Sequence, residues 1–124
     1  DGSVLINNAF NANPQSSLAS LKLLSGFPGR KILVTPGYVE LGAQEEAFHR
    51  AFGENIAKVA DMALLIGARH TLPIREGLIA AGFEEGNIHT FPTFTQARAY
   101  LDTICGEGDV ILYENDLPDQ YSEG

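Results

Sequence analysis

The sequence predicts a three-layer α/β domain, with a mostly parallel sheet of five or six strands and helices on both faces. Five short runs are apolar and rich in aliphatic or β-branched residues, and they alternate with stretches of helical periodicity. Each run is short and apolar enough to be a buried strand, which is typical of a parallel sheet covered on both sides. The runs cover residues 4–8, 31–35, 62–66, 88–91 and 109–113.

The first two helices are predicted from the spacing of their apolar residues. The first begins at Pro14, with Asn13 as its N-cap, and ends near Gly26. Its apolar stripe is Leu18, Leu21 and Leu24. The second covers about residues 44–60, with apolar side chains at helical spacing: Ala47, Phe48, Ala51, Phe52, Ile56 and Val59.

The third and fourth helices are recognised mainly by their ends. The third, about residues 72–81, is expected to stop at Gly82, because glycine is favoured in the left-handed conformation that follows many helices. Thr93 and Gln96 have the spacing of a capping box and predict the start of the fourth. Its residues expected to face the core are Ala97, Tyr100, Leu101 and Ile104.

Composition limits the classes of function. The chain has 124 residues, 44% of them hydrophobic, which fits one domain with its own core. A net charge of −8, with only eight Lys and Arg dispersed along the chain, excludes the basic footprint of a nucleic-acid-binding protein. No apolar run is long enough to predict a membrane span.

Two further features bear on where the protein works and on its length. The single cysteine, Cys105, rules out an internal disulfide and fits a reducing, cytoplasmic compartment. We expect Cys105 to be a small core residue. Because the chain begins at Asp1 and its first strand follows almost at once, we expect it to be a fragment of a longer protein.

Unusual chemistry is concentrated in the turns that follow the predicted strands. In parallel α/β sheets, ligands bind at this carboxyl edge. Three such turns are rich in polar or flexible residues: residues 7–13, 35–42 and 114–119. The turn GARHT after the third strand is a weaker fourth candidate. The turns at the opposite edge, such as GFPGRK, have the composition of ordinary connectors.

The stretch INNAFNANP is the most specific of these features. Asparagine side chains both donate and accept hydrogen bonds, which suits ribose hydroxyls or an adenine edge. Phe10 could offer a ring on which a base stacks. On chemistry alone, an ordinary strand-to-helix turn, with Asn13 as cap and Phe10 in the core, explains the stretch as well.

Two other turns suggest a second polar subsite. In VTPGYVELG, Gly37 permits unusual backbone angles and Glu40 places a carboxylate at the ligand edge. YENDLPD ends the last strand with three acids in seven residues. These acids form either a solvated acidic loop or a site for an ammonium group, such as the amine of an amino-acid substrate.

Several familiar sites are missing from the sequence. It contains neither a GxxxxGK[ST] phosphate loop nor a GxGxxG motif. His49, His70 and His89 have no partner at metal-ligand spacing, and no nucleophile–histidine set can be assembled. We therefore predict no metal site. His49 is interpreted as a surface or half-buried helix residue, His89 as structural, and His70 as facing the ligand edge.

Taken together, the turns resemble a known family. N-A-N-P after a strand, then a strand followed by G-x-x-E-L-G, then a histidine on the next helix, is similar to the C-terminal domain of the Mur ligases. Within that family the sequence resembles the type that adds D-alanyl-D-alanine to the UDP-muramoyl tripeptide of peptidoglycan. The resemblance covers most of the chain in the right order, and it implies a Rossmann-like sheet, typically with one antiparallel edge strand.

The resemblance also implies a division of labour. Mur ligases have three domains, of which the central one carries the ATP phosphate loop and the Mg²⁺ sites and the N-terminal one binds the UDP-sugar. The C-terminal domain closes over ATP and helps to bind the incoming amino acid or dipeptide. An acyl phosphate forms on the growing peptide, and the incoming amine attacks it. The absent phosphate loop is explained if it lies upstream of this chain.

The sequence departs from the family pattern in two places. The family motif usually reads D-D-x-Y-N-A-N-P, but here the two acids are Asn7 and Asn8 and the tyrosine is Phe10. A ribose contact by an amide lacks charge assistance and should be weaker. After the last strand, the expected K-G-S is Glu114, Asn115 and Asp116, which favours a cationic or neutral group over a carboxylate. These changes are similar to a divergent, MurF-like branch of the family.

The sequence therefore predicts that residues 1–124 are the C-terminal domain of an ATP-dependent Mur-type amide ligase. Expected nucleotide contacts are Asn7, Asn8, Phe10, Asn11 and Asn13, and expected contacts to the amine substrate are Gly37, Glu40, Glu114, Asn115 and Asp116. The expected partners are the other domains of the ligase, a UDP-muramoyl-peptide-like acceptor and an amine, with ATP and Mg²⁺ held mainly by the central domain. The alternatives are a non-catalytic α/β binding or regulatory domain and a small stand-alone α/β enzyme.

Overall fold

The computed structural model describes residues 4–8, 14–37 and 45–114, with residues 7, 8, 14–16, 45 and 114 described by their backbone alone. Five strands and four helices alternate along the chain. They are β1 (Val4–Asn8), α1 (Pro14–Ser25), β2 (Lys31–Thr35), α2 (Glu45–Ala57), β3 (Met62–Ile66), α3 (Leu72–Ala80), β4 (Ile88–Phe91), α4 (Phe94–Ile104) and β5 (Val110–Glu114). Four predicted strands have the observed bounds, and the fifth begins one residue later than predicted.

The five strands form one parallel sheet in the order β1-β5-β2-β3-β4. The last strand of the chain thus lies between the first two, with Val110 opposite both Val4 and Lys31. This confirms the predicted α/β fold with a mostly parallel sheet. The antiparallel edge strand that the family resemblance implied is not among these five strands of the described residues.

Alternate residues of each strand face two separate cores, because successive strand side chains point to opposite sides of a sheet. Helices α1, α2 and α3 cover one face, and their largest fully buried side chains are Leu24, Ile56, Ile74 and Leu78. Helix α4 covers the other face through Ala97 and Leu101, against Ile32, Val34, Leu64 and Ile66 among others. Helices on both faces make this the three-layer architecture that the sequence predicted.

Helices α2 and α3 pack with their backbones in contact. A Cβ atom on Gly53 would collide with the carbonyl oxygen of Ile74, and one on Gly77 would collide with the carbonyl oxygen of Arg50. Both glycines are buried. Interhelical distance depends on the side chains at the contact, so two glycines facing each other allow a close approach. This contact fixes the spacing of the two helices that start beside the centre of the carboxyl edge.

Several details of the helices agree with the sequence and others do not. Thr93 caps α4, accepting a hydrogen bond on its Oγ1 from the Gln96 backbone N–H at 3.2 Å. Gly82 follows α3 with a φ of 91°, as predicted. Leu18, however, is 52% exposed, because the buried stripe of α1 contains Ser17, Leu21 and Leu24 instead. Phe48, one of the apolar residues at helical spacing in α2, is 36% exposed.

Within residues 4–8, 14–37 and 45–114, no helix combines the length and apolar character needed to cross a bilayer. Cys105 is half-buried at the end of α4 and packs against the α4-side core, which agrees with its prediction as a small core residue. Burial raises the pKa of its thiol, so the group is protonated at neutral pH.

Candidate functional site

The carboxyl edge brings part of the predicted site together on three neighbouring strands. Asn7 lies opposite Tyr113, and Asn8 lies opposite Glu114, because β1 pairs with β5. Gly37 follows β2, the strand on the other side of β5. Four of the ten predicted site residues therefore lie at one edge. The other six, Phe10, Asn11, Asn13, Glu40, Asn115 and Asp116, lie outside the described residues.

Gly37 has a conformation and a neighbour that explain why glycine is found there. Its φ is 82°, in the left-handed region that other residues rarely adopt. A Cβ at this position would be 2.7 Å from Nε2 of His49 and 3.3 Å from Cδ2 of His70. The Gly37 N–H donates to Oγ1 of Thr35 at 3.0 Å. The turn after β2 is thus held against two histidines by a buried hydrogen bond.

One of these two histidines lies on a helix and the other in a turn, and they meet at the carboxyl edge. His49 lies on α2 and is 1% exposed, which corrects its interpretation as a surface or half-buried residue. Its ring packs edge-on against that of His70, with centroids 5.0 Å apart and planes at 77°. The pairing follows from the close α2–α3 packing, since His49 lies one helical turn before Gly53. His70 faces the ligand edge, as predicted.

The turn that carries His70 is rigid. Gly67 begins it with a φ of 89°, and its N–H donates to the Phe91 carbonyl at 2.7 Å. Its carbonyl accepts from both the N–H and the hydroxyl of Thr71, at 3.1 and 2.7 Å. Between these anchors lie Arg69, which is exposed, and the half-buried His70. The turn therefore presents a cation and an imidazole at a fixed place.

Tyr113 is a neighbour of the site that sequence reasoning missed. It is half-buried on β5, between Asn7 of β1 and Val34 of β2, and its ring lies 6.4 Å from that of Phe94. Burial raises the pKa of its hydroxyl, so the phenol is neutral at physiological pH. A signal was present in the sequence, since Tyr113 immediately precedes the acidic turn.

The described residues offer little to a metal ion. No group of three or more His, Cys, Asp and Glu side chains within them is arranged to hold one. His89, on β4, lies apart from the other two histidines, with its Nε2 3.3 Å from the hydroxyl of Tyr100. This position agrees with a structural role. A Mg²⁺ ion would therefore need ligands from outside the part of the chain that the structure describes.

A parallel sheet covered by helices, with a left-handed glycine and a histidine pair at its carboxyl edge, belongs to the class of α/β domains in which ligands bind at that edge. The family described as "Mur ligase, glutamate ligase domain" matches residues 1–113 of this chain. The chain therefore belongs to the Mur ligase C-terminal domain family. The resemblance drawn from the N-A-N-P and E-L-G motifs is confirmed.

Two relatives with the same enzyme name match this chain. The chain is 30% identical over 119 residues to the UDP-N-acetylmuramoyl-tripeptide–D-alanyl-D-alanine ligase of Bacillus subtilis, covering 91% of this chain and 25% of the relative. The enzyme of the same name from Escherichia coli K12 is 35% identical over 81 residues, which is 63% of this chain and 18% of that enzyme. This chain thus spans about a quarter or less of the length of these relatives.

Solved structures show the same fold. A MurF ligase of Thermotoga maritima, solved in complex with ADP, superposes with a TM-score of 0.75 at 24% identity, covering 94% of this chain and 25% of that one. MurF of Acinetobacter baumannii gives 0.76 at 23% identity, covering 92% and 25%. At these identities the likeness establishes the three-layer α/β architecture.

Proposed function

We propose that this chain is the C-terminal domain of an ATP-dependent amide ligase that acts in the cytoplasm in the synthesis of the peptidoglycan peptide. The observation that carries the proposal is the family match over residues 1–113, which runs from the first strand into the last. Relatives matched along most of the chain are ligases for D-alanyl-D-alanine and a UDP-muramoyl tripeptide. The match favours a ligase domain over a non-catalytic binding domain.

The first part of the proposal concerns the nucleotide. Asn7 and Asn8 end β1 at the carboxyl edge, and with Phe10, Asn11 and Asn13 they would contact the ribose and base of ATP when the domain closes. Amide groups can donate to and accept from ribose hydroxyls. ATP and its Mg²⁺ would be held mainly by a central domain of the same ligase. The absence of a phosphate loop from this sequence supports that division.

The second part concerns the amine. Gly37 follows β2, and Glu114 ends the neighbouring strand β5; with Glu40, Asn115 and Asp116 they would face the incoming amino group. An amine arrives largely as an ammonium ion, which carboxylates attract. Because β5 lies between β1 and β2, nucleotide and amine would be held side by side. After the ammonium loses one proton, this arrangement suits attack of the neutral amine on an acyl phosphate. The C–N bond forms, the bond from the acyl carbon to the phosphate oxygen breaks, and hydrogen phosphate leaves with the second amine proton.

The test is turnover by the full-length protein that contains this chain. We expect ADP release that requires both a UDP-muramoyl tripeptide and D-alanyl-D-alanine, with a new amide detected by mass spectrometry. Residues 1–124 alone should release no ADP, because they lack the phosphate loop. A full-length protein without a GTNGKT-like phosphate loop, or one that releases no ADP with any acceptor and amine, would contradict the proposal.

A further inference from the structure

His49 is an unusual residue to find in the core of the domain. It lies at the start of the buried stripe of α2, in which Phe52 and Ile56 follow at helical spacing. Its side chain is 1% exposed, whereas His70 and His89 are only half-buried. Burial of an imidazole removes two ring nitrogens from water, a cost that an aliphatic side chain at the same position would not carry. Filling the space between α2 and the sheet therefore does not explain why this residue is a histidine.

The His49 ring contacts two turns that follow neighbouring strands. The first is the turn after β2, where Nε2 of His49 lies so near Gly37 that a Cβ on the glycine would be 2.7 Å from it. The second is the turn after β3, whose His70 ring packs edge-on against that of His49, with centroids 5.0 Å apart. Because β2 and β3 pair directly, both turns lie at the same part of the carboxyl edge. His49 is thus in contact with both of them.

Each of the two turns is fixed on its own strand by hydrogen bonds of its own. In the turn after β2, the Gly37 N–H donates to Oγ1 of Thr35. In the turn after β3, the Gly67 carbonyl accepts from both the N–H and the hydroxyl of Thr71. These bonds set the shape of each turn, but they do not set the distance between the two turns. The ring of His49, which contacts both, is placed to set that distance.

The position of the His49 ring is in turn set by helix packing. Helices α2 and α3 meet through Gly53 and Gly77, and a Cβ on Gly77 would collide with the backbone of Arg50. Arg50, the residue after His49, also donates to the carboxylate of Glu76 on α3 at 2.9 Å. Because His49 lies next to this contact and one helical turn before Gly53, its backbone cannot shift without disturbing close-packed atoms. The ring is therefore a fixed reference for the two turns that it contacts.

We infer that His49 is a positioning residue of the ligase, whose imidazole holds the turn after β2 at a fixed place beside the turn after β3. This inference rests on the proposed ligase function and adds to it a residue that acts through Gly37 and does not touch substrate. The turn after β2 leads into the sequence that contains Glu40. A misplacement of about 1 Å in an active site lowers a rate by about 100-fold. A displaced turn should therefore slow formation of the amide while leaving the binding of ATP unchanged.

The test compares His49→Leu with His89→Leu in the full-length ligase. Leucine fills a similar volume without ring nitrogens, so His49→Leu keeps the apolar packing of α2 and removes the polar contacts. His89 lies on β4, apart from the other two histidines, so its variant controls for the loss of a histidine from the domain.

ADP release is measured with a UDP-muramoyl tripeptide and D-alanyl-D-alanine, below the melting temperature of every variant. We expect His49→Leu to lower kcat about 100-fold, because the turn after β2 is no longer held in place. Its KM for ATP should stay within about threefold of wild type, since the nucleotide is held mainly elsewhere. The kcat of His89→Leu should also stay within about threefold of wild type.

Stability and rescue distinguish a positioning residue from one that only fills space. If His49 only fills space, leucine should preserve both the fold and the rate, because it removes a buried polar group. If His49 positions the turn, His49→Leu should melt near the wild-type temperature and still be slow. His49→Gln, whose amide keeps a donor and an acceptor, should recover part of the rate and lose only about tenfold in kcat. If His49→Leu does not fold, His49→Gln is compared with His89→Gln, and a difference in kcat below about threefold overturns the inference.

The outcomes separate this inference from the function on which it rests. If wild type shows no amine-dependent ADP release, the ligase proposal fails and the inference fails with it. If wild type is active and the folded His49→Leu is as fast as His89→Leu, only the inference is overturned. A rise in KM for ATP with kcat unchanged would mean that the ring acts on the nucleotide site instead, and it would also overturn the inference.

Discussion

The two edges of the sheet use charged groups in opposite ways. At the amino edge, the Asp109 carboxylate accepts from Arg30 at 2.7 Å and from the Gly106 N–H at 3.0 Å, while Arg30 also donates to the Ile104 carbonyl. The Asp61 carboxylate likewise accepts from the Lys31 N–H. At the carboxyl edge, Arg69 has no such partner among the described residues. Asp109 and Arg30 are thus paired within the domain at the edge that connects strands, whereas Arg69, at the predicted ligand edge, forms no ion pair with a described residue.

Glycines show the same contrast. At the amino edge, Gly29 lies against the backbone of Gly108, so two connecting turns are packed directly together. At the carboxyl edge, Gly37 lies against imidazole rings, which are side chains with their own chemistry. The first contact joins two connecting turns through their backbones, whereas the second packs a turn backbone against two side chains. Four substitutions or conditions test this comparison, from the largest expected effect to the smallest.

The largest effect is expected at the contact between α2 and α3. Gly53→Ala places a methyl group against the backbone of Ile74, and Gly77→Ala does the same against Arg50. Each should reduce the free energy of unfolding by about 3 kcal/mol, because helix backbones must move apart. Chemical denaturation measures the change. Gly86→Ala, which meets no atom within 4 Å, is the control and should change little. Equal effects of all three would show that α2 and α3 are not in close contact.

The next effect is expected at the amino edge. Asp109→Ala removes the partner of Arg30, whose side chain is 38% exposed while that of Asp109 is only 12% exposed. We expect a loss of about 2 kcal/mol in the free energy of unfolding, since a partly buried guanidinium and the Gly106 N–H lose their acceptor. Catalysis by the full-length protein should persist below the new melting temperature. A selective loss of activity without loss of stability would break the distinction between the two edges.

At the carboxyl edge, Gly37 and His49 should be energetically coupled. Gly37→Ala should cost about 1–2 kcal/mol because of its positive φ and its collision with the His49 ring. In a His49→Ala background the collision is gone, so the same change should cost less. A double-mutant cycle by denaturation measures the difference. Additive effects would mean that the histidine does not hold this turn.

The smallest effect is a dependence of stability on pH. Hydrogen bonding from Arg30 holds the pKa of Asp109 below its usual value of 3.8. A depressed folded-state pKa stabilises the protein above pH 4, and this contribution is lost as the pH falls from about 4 through the folded-state value. In Asp109→Asn this part of the loss of unfolding free energy at acid pH should be absent, as measured by denaturation at a series of pH values. Asp102→Asn, which removes an exposed carboxylate of α4, is the control. If wild type and Asp109→Asn lose the same amount of stability as the pH falls below about 4, the expectation is contradicted.

The strands were predicted well because each is a short run of aliphatic, β-branched or aromatic residues, and in β2, β3 and β5 the apolar residues are consecutive. Helix faces were harder. Leu18 was placed in the core by hydrophobicity, although the position facing the core, one helical turn before Leu21, is occupied by Ser17. Phe48 shares the helical spacing of the buried Phe52 and Ile56, yet it is exposed. A single sequence indicates the period of a helix more reliably than which side of it meets the sheet, since that side is chosen by the neighbouring elements.

Residues of the candidate site could be predicted only where a single turn next to a recognisable strand determines their position. Gly37 and Asn8 could be assigned to the carboxyl edge because each follows a recognisable strand. The His49–His70 pair could not, since 21 positions separate the two residues and their meeting depends on the contact of Gly53 with Gly77. Spacing rules for metal ligands and catalytic sets find neighbours along the chain, whereas this pair is made by helix packing. The roles of the ten predicted site residues stay predictions.

The position of β5 has a consequence for how the domain is completed during synthesis. β1 leaves the ribosome first, but its hydrogen-bonded neighbour in the described sheet is β5, which begins at Val110. Until that residue is available, β1 has no adjacent strand, and the pairing then closes a loop of about one hundred residues. Asn7 and Asn8 would therefore reach their places beside Tyr113 and Glu114 in the same late step. In a nascent domain, the part of the ligand edge formed by β1 and β5 would therefore be completed last, after the turn that brings Gly37 against the two histidines.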